Sequence, residues 1–143
     1  MAIWQFDFYL GNLKKEIIND EKRFKEIIDN ISGLLKKSIG WTESTDFYGN
    51  NDETCIQFAW ENGEIADIRI RLDLRTLDKN LFNVIFKFIQ DTECGNLIII
   101  DEIIPIDKNK LLHKIRNSKE YSFVKNPNEF IKEIHEKENE KSK

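Results

Sequence analysis

Residues 67–75 alternate acids and arginines with aliphatic residues, Asp67-Ile-Arg69-Ile-Arg71-Leu-Asp73-Leu-Arg75, and no other stretch of the chain is as well equipped to bind a partner. In an extended segment every second residue shares a face. Asp67, Arg69, Arg71, Asp73 and Arg75 therefore line one side, and Ile68, Ile70, Leu72 and Leu74 the other. An earlier alternating segment, Ile3–Leu10, adds Asp7 and Tyr9 on the same side if the two segments are neighbours in a sheet. Arginine offers a rigid five-donor fork and tyrosine a broad amphipathic surface, both favoured at protein interfaces. These seven residues are the candidate partner-binding set. The alternative is a solvated sheet face whose opposite charges satisfy one another across strands.

No other grouping points to catalysis. His113 and His135 lie far apart, and neither neighbours Cys55 or Cys94 in sequence, so neither a metal site nor a Cys-His nucleophile is indicated. The carboxylates show no pairing that would separate a general acid from a base. There is no phosphate loop or dinucleotide fingerprint, and no cofactor is expected. The expectation is a non-enzymatic protein.

The chain has 143 residues, 40% apolar and 34% charged, which suits one globular domain. Residues 101–143 hold 9 acids and 10 bases, leaving 17 acids and 12 bases on the first hundred. An acidic body disfavours nucleic acid and favours a basic partner. Two cysteines without a CxxC pair indicate no disulfide framework, and the opening residues resemble no targeting signal, so a cytoplasmic location is expected. No apolar run approaches the length needed to span a bilayer, and no membrane association is expected.

Elements that would position the row follow from periodicity. Ile3–Leu10 reads as a strand, residues 14–38 as a helix capped near Asn19 or Asp20 and stopped at Gly40, and the polar stretch Thr42–Glu53 as an exposed loop. Residues 54–75 read as a hairpin around Asn62-Gly63. A two-residue loop would pair Ile56 with Arg69 and mix apolar and charged residues on one face, so a three-residue loop with a bulge at Gly63 is expected, pairing Ile56 with Ile68 and Phe58 with Ala66. Asp78 caps a second helix near 79–91, and Leu97–Ile100 reads as a buried strand. The order β-α-β-β-α-β predicts an α+β fold, ferredoxin-like, with an antiparallel sheet and two helices on one face. A helical extension follows: a short helix near 107–117, then Phe130, Ile131 and Ile134 at helical spacing after Asn126-Pro127. The single domain is expected over 1–135, with 136–143 a frayed charged tail. In that fold RNA is read by aromatics on the outer face of the two central strands, where this chain would offer one aromatic and three carboxylates. The loop Gly11-Asn12-Leu13-Lys14-Lys15 likewise lacks the arginine cradle of acylphosphatase-like enzymes.

Three blocks, Ile3-Trp4-Gln5-Phe6-Asp7-Phe8-Tyr9, Glu61–Ile65 with Ile68–Arg75, and Phe123-Val124-Lys125-Asn126-Pro127 with Phe130, resemble a group of small bacterial proteins. Some of these are encoded beside polymorphic toxins and are read as immunity proteins. The resemblance implies a non-enzymatic inhibitor that masks a toxin by binding it, and supplies no site residues. Two functions are thus carried forward. One is a cytoplasmic protein-binding module, an immunity protein occluding a toxin that is itself basic, with a homodimer also compatible. The other is a small enzyme or ligand-binding domain with a pocket between the sheet and the C-terminal segment.

Overall fold

The structure is a computed structural model and describes residues 2–38 and 44–124. Its strands are β1 (Gln5–Gly11), β2 (Lys37–Ser38), β3 (Thr45–Gly49), β4 (Cys55–Glu61), β5 (Glu64–Asp73), β6 (Asn96–Ile99) and β7 (Glu102–Ile104). The helices are α1 (Lys15–Ile18), α2 (Glu21–Ile31), α3 (Lys79–Asp91), α4 (Lys108–Arg116) and α5 (Lys119–Phe123). The strands form one antiparallel sheet in the order β2-β3-β4-β5-β1-β6-β7.

This corrects the ferredoxin-like expectation. The sheet has seven strands rather than four, and five helices are described rather than two with an extension. The extra strands are the ones periodicity conceals. β3 lies inside the polar stretch read as a loop, and β2 and β7 have two and three residues, too few to display an alternation. The long first helix is also divided: α1 is a single turn, and α2 begins only after Asp20, whose carboxylate accepts from the Lys22 and Arg23 amides. Asp78 caps α3 in the same way through the Leu81 amide. The segment with Phe130, Ile131 and Ile134, the tail 136–143, His135 and Gly40 lie outside the described residues.

The hairpin turn differs from expectation as well. Trp60 pairs with Ile65 and Glu61 with Glu64, so the loop is the two-residue one that the facial argument rejects. Asn62 (φ 53°) and Gly63 (φ 79°) are both left-handed, as a type I′ turn requires. The facial conflict is resolved one step later. The register shifts between Trp60 and Ala59, which pairs with Asp67, leaving Ala66 as an extra residue on β5. That bulge puts Ile65 and Ile68, three apart in sequence, on the same buried face, each 1% exposed. Beyond it Phe58 meets Ile68 and Ile56 meets Ile70.

One face of the sheet carries the core. Phe6, Phe8, Ile56, Phe58, Ile68, Ile70 and Leu72 are buried beneath α2, contributing Ile27, Ile28 and Ile31, and α3, contributing Phe82, Ile85, Phe86, Phe88 and Ile89. Leu111, Leu112 and Ile115 of α4 extend the same cluster. Among the described residues no helix is long and apolar enough to cross a membrane.

Candidate functional site

The opposite face is ordered into rows by the strand registers. One row runs Phe47, Gln57, Arg69, Tyr9, Ile98, Ile103 across β3, β4, β5, β1, β6 and β7. The next runs Gly49, Cys55, Arg71, Asp7. All seven candidate residues are near this face, but the structure divides them.

The second row is covered. Residues 50–54, between β3 and β4, lie across it: Gln5 Nε2 donates to the Asp52 carbonyl (3.0 Å), Arg71 Nη1 donates to the Asn51 carbonyl (2.9 Å), and the Asp73 amide donates to Thr54 Oγ1 (2.9 Å). Beneath this cover Arg71 forms a bidentate pair with Asp7, Nε to Oδ1 and Nη2 to Oδ2, both 2.9 Å. Arg71 is 8% exposed and Asp73 0%. Asp73 accepts from Arg75 Nε and Nη2 at 3.0 and 2.9 Å, and the Arg75 guanidinium sits 3.9 Å from the centroid of the Trp4 ring. Their hydrogen bonds to Asp7 and Asp73 raise the pKa of Arg71 and of Arg75, so both stay charged. Asp7, Arg71, Asp73 and Arg75 are therefore occupied within the fold.

Three of the seven remain available. Asp67 is exposed, and Tyr9 is 44% exposed. Arg69 is half-buried between Gln57 and Tyr9. Its Nη2 donates to Asn51 Oδ1 (3.0 Å), its side chain also hydrogen-bonds the Cys55 thiol, its Nε is buried without an acceptor, and among the described residues no carboxylate pairs with it.

The remainder of the open row was not foreseen. Ile98 is half-buried and Ile103 66% exposed, on the same face as Tyr9, and Ile100 in the β6–β7 turn is 91% exposed. A continuous run of isoleucines carries no facial signal, so Leu97–Ile100 read as buried on both sides. Pro105 after Glu-Ile-Ile was the available hint of a short edge strand. Beside these residues a cleft of about 700 Å³ lies between β1, the β6–β7 turn and the α4–α5 junction, lined in part by Phe6, Tyr9, Ile99, Ile100, Lys114 and Lys119. Lys114 pairs with Glu102 at its edge.

Neither cysteine is placed for chemistry. Burial is the main cause raising the thiol pKa of both, and at Cys55 the charges of Arg69 and Arg71 offset only part of it. The folded state thus keeps protons that the unfolded chain releases, and stability falls as pH rises through the ordinary thiol range. Labelling of the native protein by Ellman's reagent at pH 8 is expected to run at least roughly a hundredfold slower than in denaturant. Labelling at the unfolded rate would show an accessible thiol. His113 is exposed on α4, and the described residues contain no cluster of His, Cys, Asp or Glu placed to hold a metal ion.

Comparison with known proteins returns no matching family model, curated protein or solved structure.

Proposed function

We propose that the chain is a cytoplasmic protein-binding module of the immunity type, which neutralises a bacterial toxin by covering it. The docking surface is the open row of the sheet rather than the whole charged set. The observation that carries this reading is the contrast between two adjacent rows. The row with Asp7 and Arg71 is closed by residues 50–54, which also reach Arg69 through Asn51, while the next row opens toward β1 and β7, with Tyr9 44% and Ile103 66% exposed. A tyrosine and an arginine beside exposed aliphatics are the composition of an interface centre. Occlusion then needs shape and charge complementarity, with no chemistry on the toxin. The two free cysteines suit a reducing cytosol.

The cleft favours a second reading, a small-ligand site, because about 700 Å³ falls within the range of such sites. Its polar groups argue against that use. Asp7 is held by Arg71 and Lys114 by Glu102, so three of the five charged lining residues are already paired, Lys119 and Glu120 being the others.

The test is capture from a lysate of the native host, followed by a growth assay. The wild type is expected to retain a protein that arrests growth when expressed alone, and co-expression of the wild type restores growth. A Tyr9→Ala/Ile103→Asp double variant, both positions being exposed, is expected to melt near the wild type and to restore nothing. A double variant that captures and protects as the wild type does would remove this face from the function.

A further inference from the structure

Resting on that reading of the chain as a protein-binding module, we infer that Ile100 is the anchor of the docking surface and that the partner offers it an apolar recess with a carboxylate nearby for Arg69. The first observation is the β6–β7 turn. Ile99 pairs with Glu102, so Ile100-Asp101 is a two-residue loop, and Ile100 has φ 58°. In this left-handed region a β-branched side chain crowds its own backbone, and two-residue turns select asparagine, aspartate or glycine instead. The same chain follows that rule at its other two-residue turn, Asn62-Gly63. At Ile100 it breaks the rule, and the side chain gains no burial in return, being 91% exposed. Ile100 is thus unfavourable both to the backbone and to solvent, with no compensating contact among the described residues, the pattern of a residue placed for function.

The second observation is what surrounds it. Ile100 borders the cleft of about 700 Å³, with Ile103 (66% exposed) and Tyr9 (44% exposed) close by on β7 and β1. Ile100 therefore stands on the border of a cleft that Tyr9 also lines. Charge then selects the partner. Of the cations near this surface, Lys114 faces Glu102, Arg71 and Arg75 face Asp7 and Asp73, and Lys119 lines the cleft itself. Arg69 and Lys119 have no carboxylate partner among the described residues, so positive charge stands beside the apolar residues. The Arg69 guanidinium, held by the Asn51 amide oxygen and the Cys55 thiol, is preorganised to donate to a carboxylate. Two strand spacings and a two-residue rise separate Arg69 from Ile100, about 12 Å by standard sheet dimensions.

The experiment compares wild type, Ile100→Asn and Arg69→Gln in thermal unfolding and in capture from native-host lysate. Ile100→Asn is expected to melt above the wild type, because asparagine suits the turn, yet to retain less than about a tenth of the captured protein. Arg69→Gln is expected to melt near the wild type and to lose capture to a similar extent. If Ile100→Asn captures as well as the wild type, or melts below it, Ile100 is not the anchor, although the binding function stands. Undiminished capture by Arg69→Gln overturns the carboxylate. A wild type that captures no protein overturns both this inference and the function on which it rests.

Discussion

Asp7→Ala is expected to remove about 3–5 kcal/mol of folding stability, the range for breaking one side of a buried ion pair. Arg71 is 8% exposed, and its guanidinium is satisfied by two bonds to Asp7 and one to the Asn51 carbonyl, all 2.9 Å. Deleting the carboxylate leaves a buried cation with two donors unmet. The cost is that uncompensated charge, not the intrinsic strength of the pair. Arg71→Ala should also destabilise, since it strips Asp7 of its partner and frees the Asn51 carbonyl that residues 50–54 use to hold the sheet. Asp7→Leu with Arg71→Met removes both charges and is expected to lie closer to the wild type than either single alanine variant. Glu93→Ala is the control. It breaks the pair with Arg23, whose two side chains are about half exposed, 50% and 53%, and should cost at most about 1 kcal/mol. Urea unfolding at constant m reads all four variants. A cost below about 1 kcal/mol for Asp7→Ala would mean that water reaches Arg71 and that the row is not closed.

That prediction could not have come from the sequence, and the reason is specific. Alternation along β5 assigned Arg71 and Asp73 to the face opposite Ile70 and Leu72, and the structure places them there. Alternation does not reveal whether another segment lies over a face. Residues 50–54 cover Arg71 and Asp73 through the Asn51 carbonyl and Thr54 Oγ1, contacts that a polar loop composition does not announce. The turn shows a related limit. An ordinary type I′ loop followed by a bulge at Ala66 leaves Ile56, Phe58, Ile68 and Ile70 on the core face, as a three-residue loop would have done. The hydrophobic pattern fixes which face is buried, but two backbone devices reach the same faces by different pairings. The aspartate cap at Asp78 was legible because it is local, one side chain and one amide three residues on. The edge strands were not legible, because pairing with a neighbour is what defines them.

Phe58→Ala is expected to cost about 3–5 kcal/mol, as large-to-small changes of a buried aromatic do. Phe58 is 1% exposed in the middle of β4, and three rings meet it edge-on. Phe24 of α2 lies at 5.3 Å, Tyr48 of β3 at 5.7 Å and Phe88 of α3 at 6.0 Å between centroids. Three elements thus converge on one ring of β4, and none can fill the void without leaving its own packing, so the cavity term adds to the lost transfer free energy. Phe123→Ala is the contrast, since Phe123 is 61% exposed and should change stability by less than about 0.5 kcal/mol. A loss under about 2 kcal/mol for Phe58→Ala would indicate that α2 and α3 collapse into the space. The variant also separates folding from binding. Phe58 faces the helices, and its sequence neighbour Gln57 faces the open row beside Arg69. Measured well below its melting point, Phe58→Ala should therefore capture the partner as the wild type does, whereas Tyr9→Ala/Ile103→Asp should lose the partner while keeping stability. If Phe58→Ala loses both while still folded, the open row depends on the core beneath it, and the two faces of the sheet do not act independently.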